Sequence, residues 1–437
     1  MRGLYTLLFI VFSLTSKAQN PISPPGVYIA DPSAKVWGDT LFIYGSLDKS
    51  CNYYCSKEHH MMYTTDMMEW HIKEGIFHSE GPNDEVEGSD KLLFAPDASR
   101  KNGNYYLYFC MPDRDFSEGY ATAKSPFGPF KNGQKIDLGG FNEIDPAVFT
   151  DDDGQVYYLW GQFTLKMALM KPDMSGPDLS TIRDSVITEA EHFFHEGAYL
   201  TKRNDTYYLV YADMSRADQP TCIGYATSNT PFGPYKYGGV IIDNSFSNPG
   251  NWNNHGSMAQ FKGQWYVFYH KSTHGCYTMR KACIEPIEFL KDGSIPEVPM
   301  TSQGAAPPFG KGDTIDAASA CIILGNSRII ANGNNKEVLT DIQKKSKIAF
   351  KYVDFDQEIS SIKLAVKAFE DGGIIVKADK PWGKTLGTIH VPPGQEADWE
   401  IVTSKIDTKG INGVKGVWLV FWGDGENIME IDWLHFY

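Results

Sequence analysis

Gly103-Asn104-Tyr105-Tyr106-Leu107-Tyr108-Phe109 sets a tight-turn pair in front of an alternating aromatic and aliphatic strand. The same phrase stands earlier as Gly38-Asp39-Thr40-Leu41-Phe42-Ile43-Tyr44. It returns as Gly154-Gln155-Val156-Tyr157-Tyr158-Leu159-Trp160 and as Asn204-Asp205-Thr206-Tyr207-Tyr208-Leu209-Val210-Tyr211. The last copy is Gly263-Gln264-Trp265-Tyr266-Val267-Phe268-Tyr269. Gly, Asn and Asp accept the backbone angles of short hairpin turns, and the period-two pattern is that of a strand with one buried face. Five hairpins spaced roughly 50–65 residues apart approach the repeat length of propeller blades.

A second repeat supports the first. Ala121-Thr122-Ala123-Lys124-Ser125-Pro126-Phe127-Gly128-Pro129-Phe130 reappears as Ala226-Thr227-Ser228-Asn229-Thr230-Pro231-Phe232-Gly233-Pro234-Tyr235. An edge strand running into a Pro/Gly turn has this form. The chain is therefore expected to be all-β, with a five-bladed β-propeller over residues 26–300. Residues 301–312, rich in Gly, Ala and Pro, read as a linker. Short strands carrying Trp382, Trp399, Trp418, Trp422 and Trp433 then indicate a β-sandwich (jelly-roll) domain over 313–437.

Composition narrows the function. The 437 residues carry 54 acidic against 40 basic side chains, a net charge of −14, with no dense Lys/Arg block. Nucleic acid and anionic membrane surfaces are thereby disfavoured as partners. An apolar run from Leu4 to Leu14 after Met1-Arg2, then Ser16-Lys17-Ala18, reads as a signal peptide over 1–18. The expected product is exported, periplasmic or extracellular, and keeps no integral membrane segment after cleavage. Seven cysteines show no zinc spacing; Cys51 and Cys55 either pair across a loop or stay separate thiols.

Each hairpin is preceded, at nearly one offset, by a single acid or histidine in an apolar strand. These are Asp31 in Ala30-Asp31-Pro32, Asp97 in Pro96-Asp97-Ala98, Asp145 in Ile144-Asp145-Pro146, Glu196 in His195-Glu196-Gly197 and His255 in Asn254-His255-Gly256. Taken singly, Asp beside Pro is a turn former and a lone His a hydrogen-bonding residue. Register lifts them above that, because the first strand of each propeller blade lines the central channel. Four carboxyl groups and one imidazole would then face one axis and push their pKa values apart, as glycoside hydrolysis requires.

With those phrases in place, the propeller region resembles glycoside hydrolase family 43. The resemblance implies an inverting hydrolase with Asp31 as general base, Glu196 as general acid and Asp145 orienting Glu196 and raising its pKa. The base and acid of an inverting pair stand about 6.5–9.5 Å apart. It further implies that His255 contacts an axial metal ion or ordered water, Ca²⁺ being the candidate, and that Arg280 lies near the sugar. Asp97 is expected at the floor of the first sugar subsite, and Phe94, Trp160 and Trp252 as rings that stack on sugar. No other cofactor is required.

The C-terminal region resembles carbohydrate-binding module family 6 through Thr314-Ile315-Asp316-Ala317, Tyr352-Val353-Asp354-Phe355 and Ile431-Asp432-Trp433. The opening acid pair of that family is reduced here to Asp316, which weakens the case for its structural Ca²⁺. Trp382 and Trp422 are the candidates to stack on a glycan. The whole implies an α-L-arabinofuranosidase or β-xylosidase acting on plant polysaccharide or its oligosaccharides. An endo-arabinanase, an exo-β-galactosidase or a non-catalytic glycan-binding protein are the alternatives. A fructosidase is disfavoured, because Tyr28-Ile29-Ala30-Asp31-Pro32-Ser33 lacks the Trp-Met-Asn start of that group.

Overall fold

The computed structural model describes residues 19–437 apart from 88, 217–218, 248–251, 334–335 and 395–398, so the expected signal peptide lies outside the described residues. Each of the five quoted hairpins forms the inner and second strands of an antiparallel sheet. Blades 1, 2 and 4 (residues 29–78, 97–135 and 194–243) have four strands; blades 3 and 5 (147–169 and 257–287) have three. The alternating pattern is used as expected. In blade 2, Leu107 and Phe109 pack towards blade 1, while Tyr108 joins the layer shared with blade 3.

The ring is closed by the chain's own beginning. Ile22 N–H donates to the Ala282 carbonyl at 2.8 Å and Asn20 N–H to that of Ser302 at 2.8 Å. The Asn20 side chain also bonds the Ile284 backbone on both sides. Residues 20–23 thus lie along the outer edge of blade 5, supplying part of the strand that blade lacks.

The sandwich pairs a six-stranded with a five-stranded antiparallel sheet around Phe350, Leu364, Ile374, Leu419, Phe421 and Leu434. Its outer face is not free. Ala349, Trp418 and Cys321 join a single buried cluster with Tyr208, Tyr225, Met258 and Tyr269 of blades 4 and 5. Two buried lysines reinforce the junction: Lys281 pairs with Glu337, and Lys271 donates to the Ala320 carbonyl at 2.6 Å. Residues 301–312, read as a linker, are packed into this junction. Ser302 exchanges hydrogen bonds with Lys351, and Phe309 is wholly buried in the sandwich core. No helix among the described residues is long and apolar enough to cross a membrane.

One cysteine pairing differs from both sequence alternatives. Cys51 is bonded to Cys276, 225 residues away, while Cys55, Cys110, Cys222, Cys283 and Cys321 are free and buried. The bond ties the loop after the second strand of blade 1 to a loop of blade 5. Cys55 lies only four positions from Cys51 in sequence but turns inward beneath it.

Candidate active site

A pocket of about 210 Å³ opens at one end of the channel, and Asp31, Asp145, Glu196 and His255 all line it. Local backbone irregularity brings them there. Asp31 sits at φ 53° in a bulge between Ala30 and Ser33; Asp145 has φ 63°; Glu196 lies between two bulges of its strand Phe194–Arg203. Bulges re-aim side chains at strand ends. Gly197, at φ 67°, has no alternative, since a Cβ there would lie 2.6 Å from the His255 ring.

The three carboxyl groups live in different fields. Burial opposes ionisation of Asp31, but Arg280, His255, His270 and the Ser46 hydroxyl outweigh it and hold its pKa at about 2. Arg280 Nη1 donates to Oδ1 at 2.8 Å, and Ser46 Oγ to Oδ2 at 2.6 Å. The Asp31 N–H donates to His270 Nδ1 at 3.2 Å. His270 is kept neutral, with burial driving its pKa to about 3. Asp145 and Glu196 behave oppositely. Burial raises both; the neighbouring carboxylates Glu196 and Asp31 push Asp145 up further. Glu196 keeps one neutral donor, Gln162 Nε2 at 2.7 Å from Oε2. His255 lies between the two aspartates, its Nδ1 3.9 Å from Asp31 Oδ1 and 3.8 Å from Asp145 Oδ2. A carboxyl group whose ionised form is favoured thus shares a small cavity with two whose neutral forms burial favours, a spread of acidities of the kind glycoside hydrolysis uses.

The profile of glycosyl hydrolases family 43 matches residues 18–295, and that of carbohydrate binding module (family 6) matches residues 325–437. The chain belongs to glycosyl hydrolases family 43. Among its relatives is a "Xylosidase/arabinosidase" of Thermoclostridium stercorarium, 28% identical over 85% of this chain and 90% of that protein. An "Arabinoxylan arabinofuranohydrolase" of Bacillus subtilis (strain 168) is 28% identical over 93% of this chain and 90% of its own. The crystal structure of a Bacillus subtilis family 43 arabinoxylan arabinofuranohydrolase with cellotetraose covers 97% of this chain and 99% of that one. Its identity is 25% and its TM-score 0.54.

In this family 43 glycoside hydrolase the remaining expected site residues divide. Phe94 lines the pocket. Arg280 also lines it, but its guanidinium holds carboxylates: Nε and Nη2 donate to Asp48 at 2.8 and 3.0 Å while Nη1 takes Asp31. Trp160 does not reach the pocket. It is fully buried between blades 2 and 3, its Nε1 donating to the Phe141 carbonyl, so it packs rather than stacks on sugar. Trp252 lies outside the pocket lining, edge-on to Tyr277 at 5.5 Å, with its carbonyl near His270 Nε2.

Asp97 is likewise not at the pocket floor. Counting from the closing pairs Trp37–Thr40 and Lys101–Asn104, Asp97 opposite Tyr108 occupies the rung that Ser33 opposite Tyr44 occupies in blade 1. Tyr199 and Ser257 hold that rung in blades 4 and 5. Glu196 opposite Ala212 stands two rungs nearer the mouth. Asp97 accepts from Ser33 Oγ, from Lys35 Nζ at 3.0 Å and from the Val148 N–H at 2.6 Å. Lys35 also lies over the Tyr199 ring at 4.7 Å. This layer plugs the channel beneath the pocket.

The plug bears on the expected axial Ca²⁺. That ion takes about six to eight oxygen ligands, yet the Asp97 oxygens already serve Ser33, Lys35 and Val148, and the Lys35 ammonium stands among them. The Asp97 rung therefore leaves no free oxygens for such an ion, whereas the ion expected at His255 would lie at the level of Asp31 and Asp145. Among the described residues no three His, Cys, Asp or Glu side chains are grouped to hold a metal, in the channel or near Asp316 in the module. His255 instead faces two carboxylates.

Several site residues carried no signal in the repeat: Tyr54, whose ring lies 4.9 Å from the Arg280 guanidinium, and Asp48, Gln162, Ser46 and His270. Asp48, Tyr54 and Gln162 follow the second strands of their blades, where no repeated phrase marks position. In the module, Trp382 is 78% exposed, and Trp422 is stacked on His390 with the rings 7° from parallel.

Proposed function

We propose that the protein is an exported, inverting, exo-acting hydrolase that removes α-L-arabinofuranosyl or β-D-xylosyl units from plant polysaccharide or its oligosaccharides. The observation that carries the mechanism is the contrast within one small pocket between Asp31, bonded to Arg280 and Ser46, and the buried Asp145 and Glu196, whose neutral forms burial favours. Asp31, ionised, takes a proton from the attacking water as its oxygen bonds to the anomeric carbon. Glu196 gives its proton to the departing glycosidic oxygen as that C–O bond breaks. One proton enters the site and one leaves, and the anomeric configuration inverts. Asp145 keeps the shared proton available to Glu196.

The pocket volume of about 210 Å³ suits one terminal sugar rather than a through-running chain. The names of the relatives from Thermoclostridium stercorarium and Bacillus subtilis support arabinose and xylose as the sugars. The apolar leader and the Cys51–Cys276 disulfide both suit export to an oxidising compartment. The test is release of aryl α-L-arabinofuranoside, β-D-xyloside and β-D-galactoside, with Glu196→Ala as blank and proton NMR of the first-formed anomer. Hydrolysis of one pentoside with inversion, absent in the blank, is expected. Retention of configuration would sink the mechanism; silence on aryl glycosides with cleavage of arabinan would replace exo by endo action.

A further inference from the structure

We propose that the blade 1 loop after Leu47 is a wall between two sugar sites. On its far side a second cavity, of about 410 Å³, takes an uncharged sugar unit of the glycan whose terminal unit enters the catalytic pocket. This rests on the glycosidase reading above.

The division of neighbouring side chains between the two cavities is the leading observation. Tyr54 and Cys55 line the catalytic pocket, whereas their neighbours Tyr53 and Ser56 line the second cavity. The facing segment divides in the same way, with Phe94 on the catalytic side and Leu92 on the other. Between them Leu93 N–H donates to the Ser56 carbonyl at 2.8 Å, which joins the two segments into one partition. A glycan leaving the catalytic pocket over this partition meets the second cavity at once.

Its chemistry selects a neutral polyol. The cavity lies within the usual range for ligand sites, about 300–1,000 Å³. Its cations are each matched: Lys49 pairs with Glu58, Lys57 with Glu80 at 2.6 Å, and His78 stands 3.8 Å from Glu58. An anionic ligand therefore gains no uncompensated charge, while the paired groups still offer hydrogen bonds to hydroxyls. Tyr53, 49% exposed, supplies the apolar ring face against which a sugar packs. The wall is also fixed in advance. Asp48 Oδ1 accepts the Cys55 N–H at 2.9 Å, and the Cys51–Cys276 bond anchors the loop outside it, which reduces the ordering that binding would otherwise require.

The experiment compares full-length wild type, Tyr53→Ala and Tyr53→Phe on an aryl glycoside and on xylo- and arabino-oligosaccharides of increasing length. The loss in kcat/KM for Tyr53→Ala should be about tenfold greater on the longer oligosaccharides than on the aryl glycoside, carried by KM, and restored by Tyr53→Phe. Equal loss on both substrates would make Tyr53 a support of the loop, and no loss on either would leave the cavity idle; each overturns the proposal. Should wild type hydrolyse none of these substrates, the glycosidase reading fails by itself. The cavity is then judged by calorimetric titration of the same oligosaccharides into full-length Glu196→Gln and Glu196→Gln/Tyr53→Ala, where equal affinity overturns it.

Discussion

At Asp31, burial and ion pairing pull in opposite directions and pairing wins, so the carboxylate is ionised at any working pH. A carboxyl this acidic is a weak base. Its value lies in permanent ionisation and in being held by Arg280 and Ser46 in one orientation. The acidic limb of the activity profile should therefore fall far below neutrality. On the proposed mechanism the basic limb is that of the Asp145–Glu196 pair titrating as a unit. Asp145→Asn takes away the carboxyl group that titrates together with Glu196, so Glu196 titrates alone and gives up its proton sooner. Turnover should fall and the basic limb should move to lower pH by roughly one unit, read from kcat/KM against pH; an unmoved limb would remove Asp145 from that role. One layer deeper, Lys35 and Asp97 form a buried pair with side chains 12% and 2% exposed. Lys35→Met leaves Asp97 uncompensated and should cost about 3–5 kcal/mol in chemical denaturation. Adding Asp97→Asn should recover part of that loss, and strict additivity of the two changes would show that they do not act as a pair.

At the scale of elements, the hairpins were legible because turn chemistry and period-two alternation are local signals. The acids were legible too, but their depth was not. Blades 1 and 4 carry bulges beside Asp31 and Glu196, which shift the count between acid and hairpin; blade 2 has no bulge between its first two strands, so Asp97 falls on a deeper rung. The partners of the acids sit on loops, and the Cys51–Cys276 contact spans 225 residues, a proximity that only the closed ring creates. That bond stitches the loop bearing Tyr54 to the loop that leads into the strand beginning at Arg280. Thr278 adds a hydrogen bond to the Ser50 carbonyl at 2.6 Å. Cys51→Ser/Cys276→Ser should lower stability by about 2–4 kcal/mol and raise KM more than it lowers kcat. A thiol reductant should reproduce both effects in wild type and neither in the variant; a reductant that also affects the variant would place its action elsewhere.

The whole molecule is one packed body rather than two beads on a string. The buried cluster shared by blades 4 and 5 with the sandwich, and the Lys281–Glu337 pair, couple the two parts energetically. Scanning calorimetry of the intact protein should give a single unfolding transition, and two well-separated ones would show that the junction contributes little. The sequence marked the change from propeller to sandwich by composition, but not the docking, because Trp418 and Ala349 read like any other strand residues. The closure of the ring by residues 20–23 carries a consequence for biosynthesis. Asn20 meets Glu285 across 265 positions, so residues 20–23 are made first yet the blade they complete is the last of the five to be made. Until blade 5 is made the growing chain must wait as an open crescent with two unpaired sheet edges, the kind of long-range topology that folds slowly and invites association with other chains. Yield in a secretion host should accordingly depend more on chaperones that shield strand edges than on the stability of the finished ring.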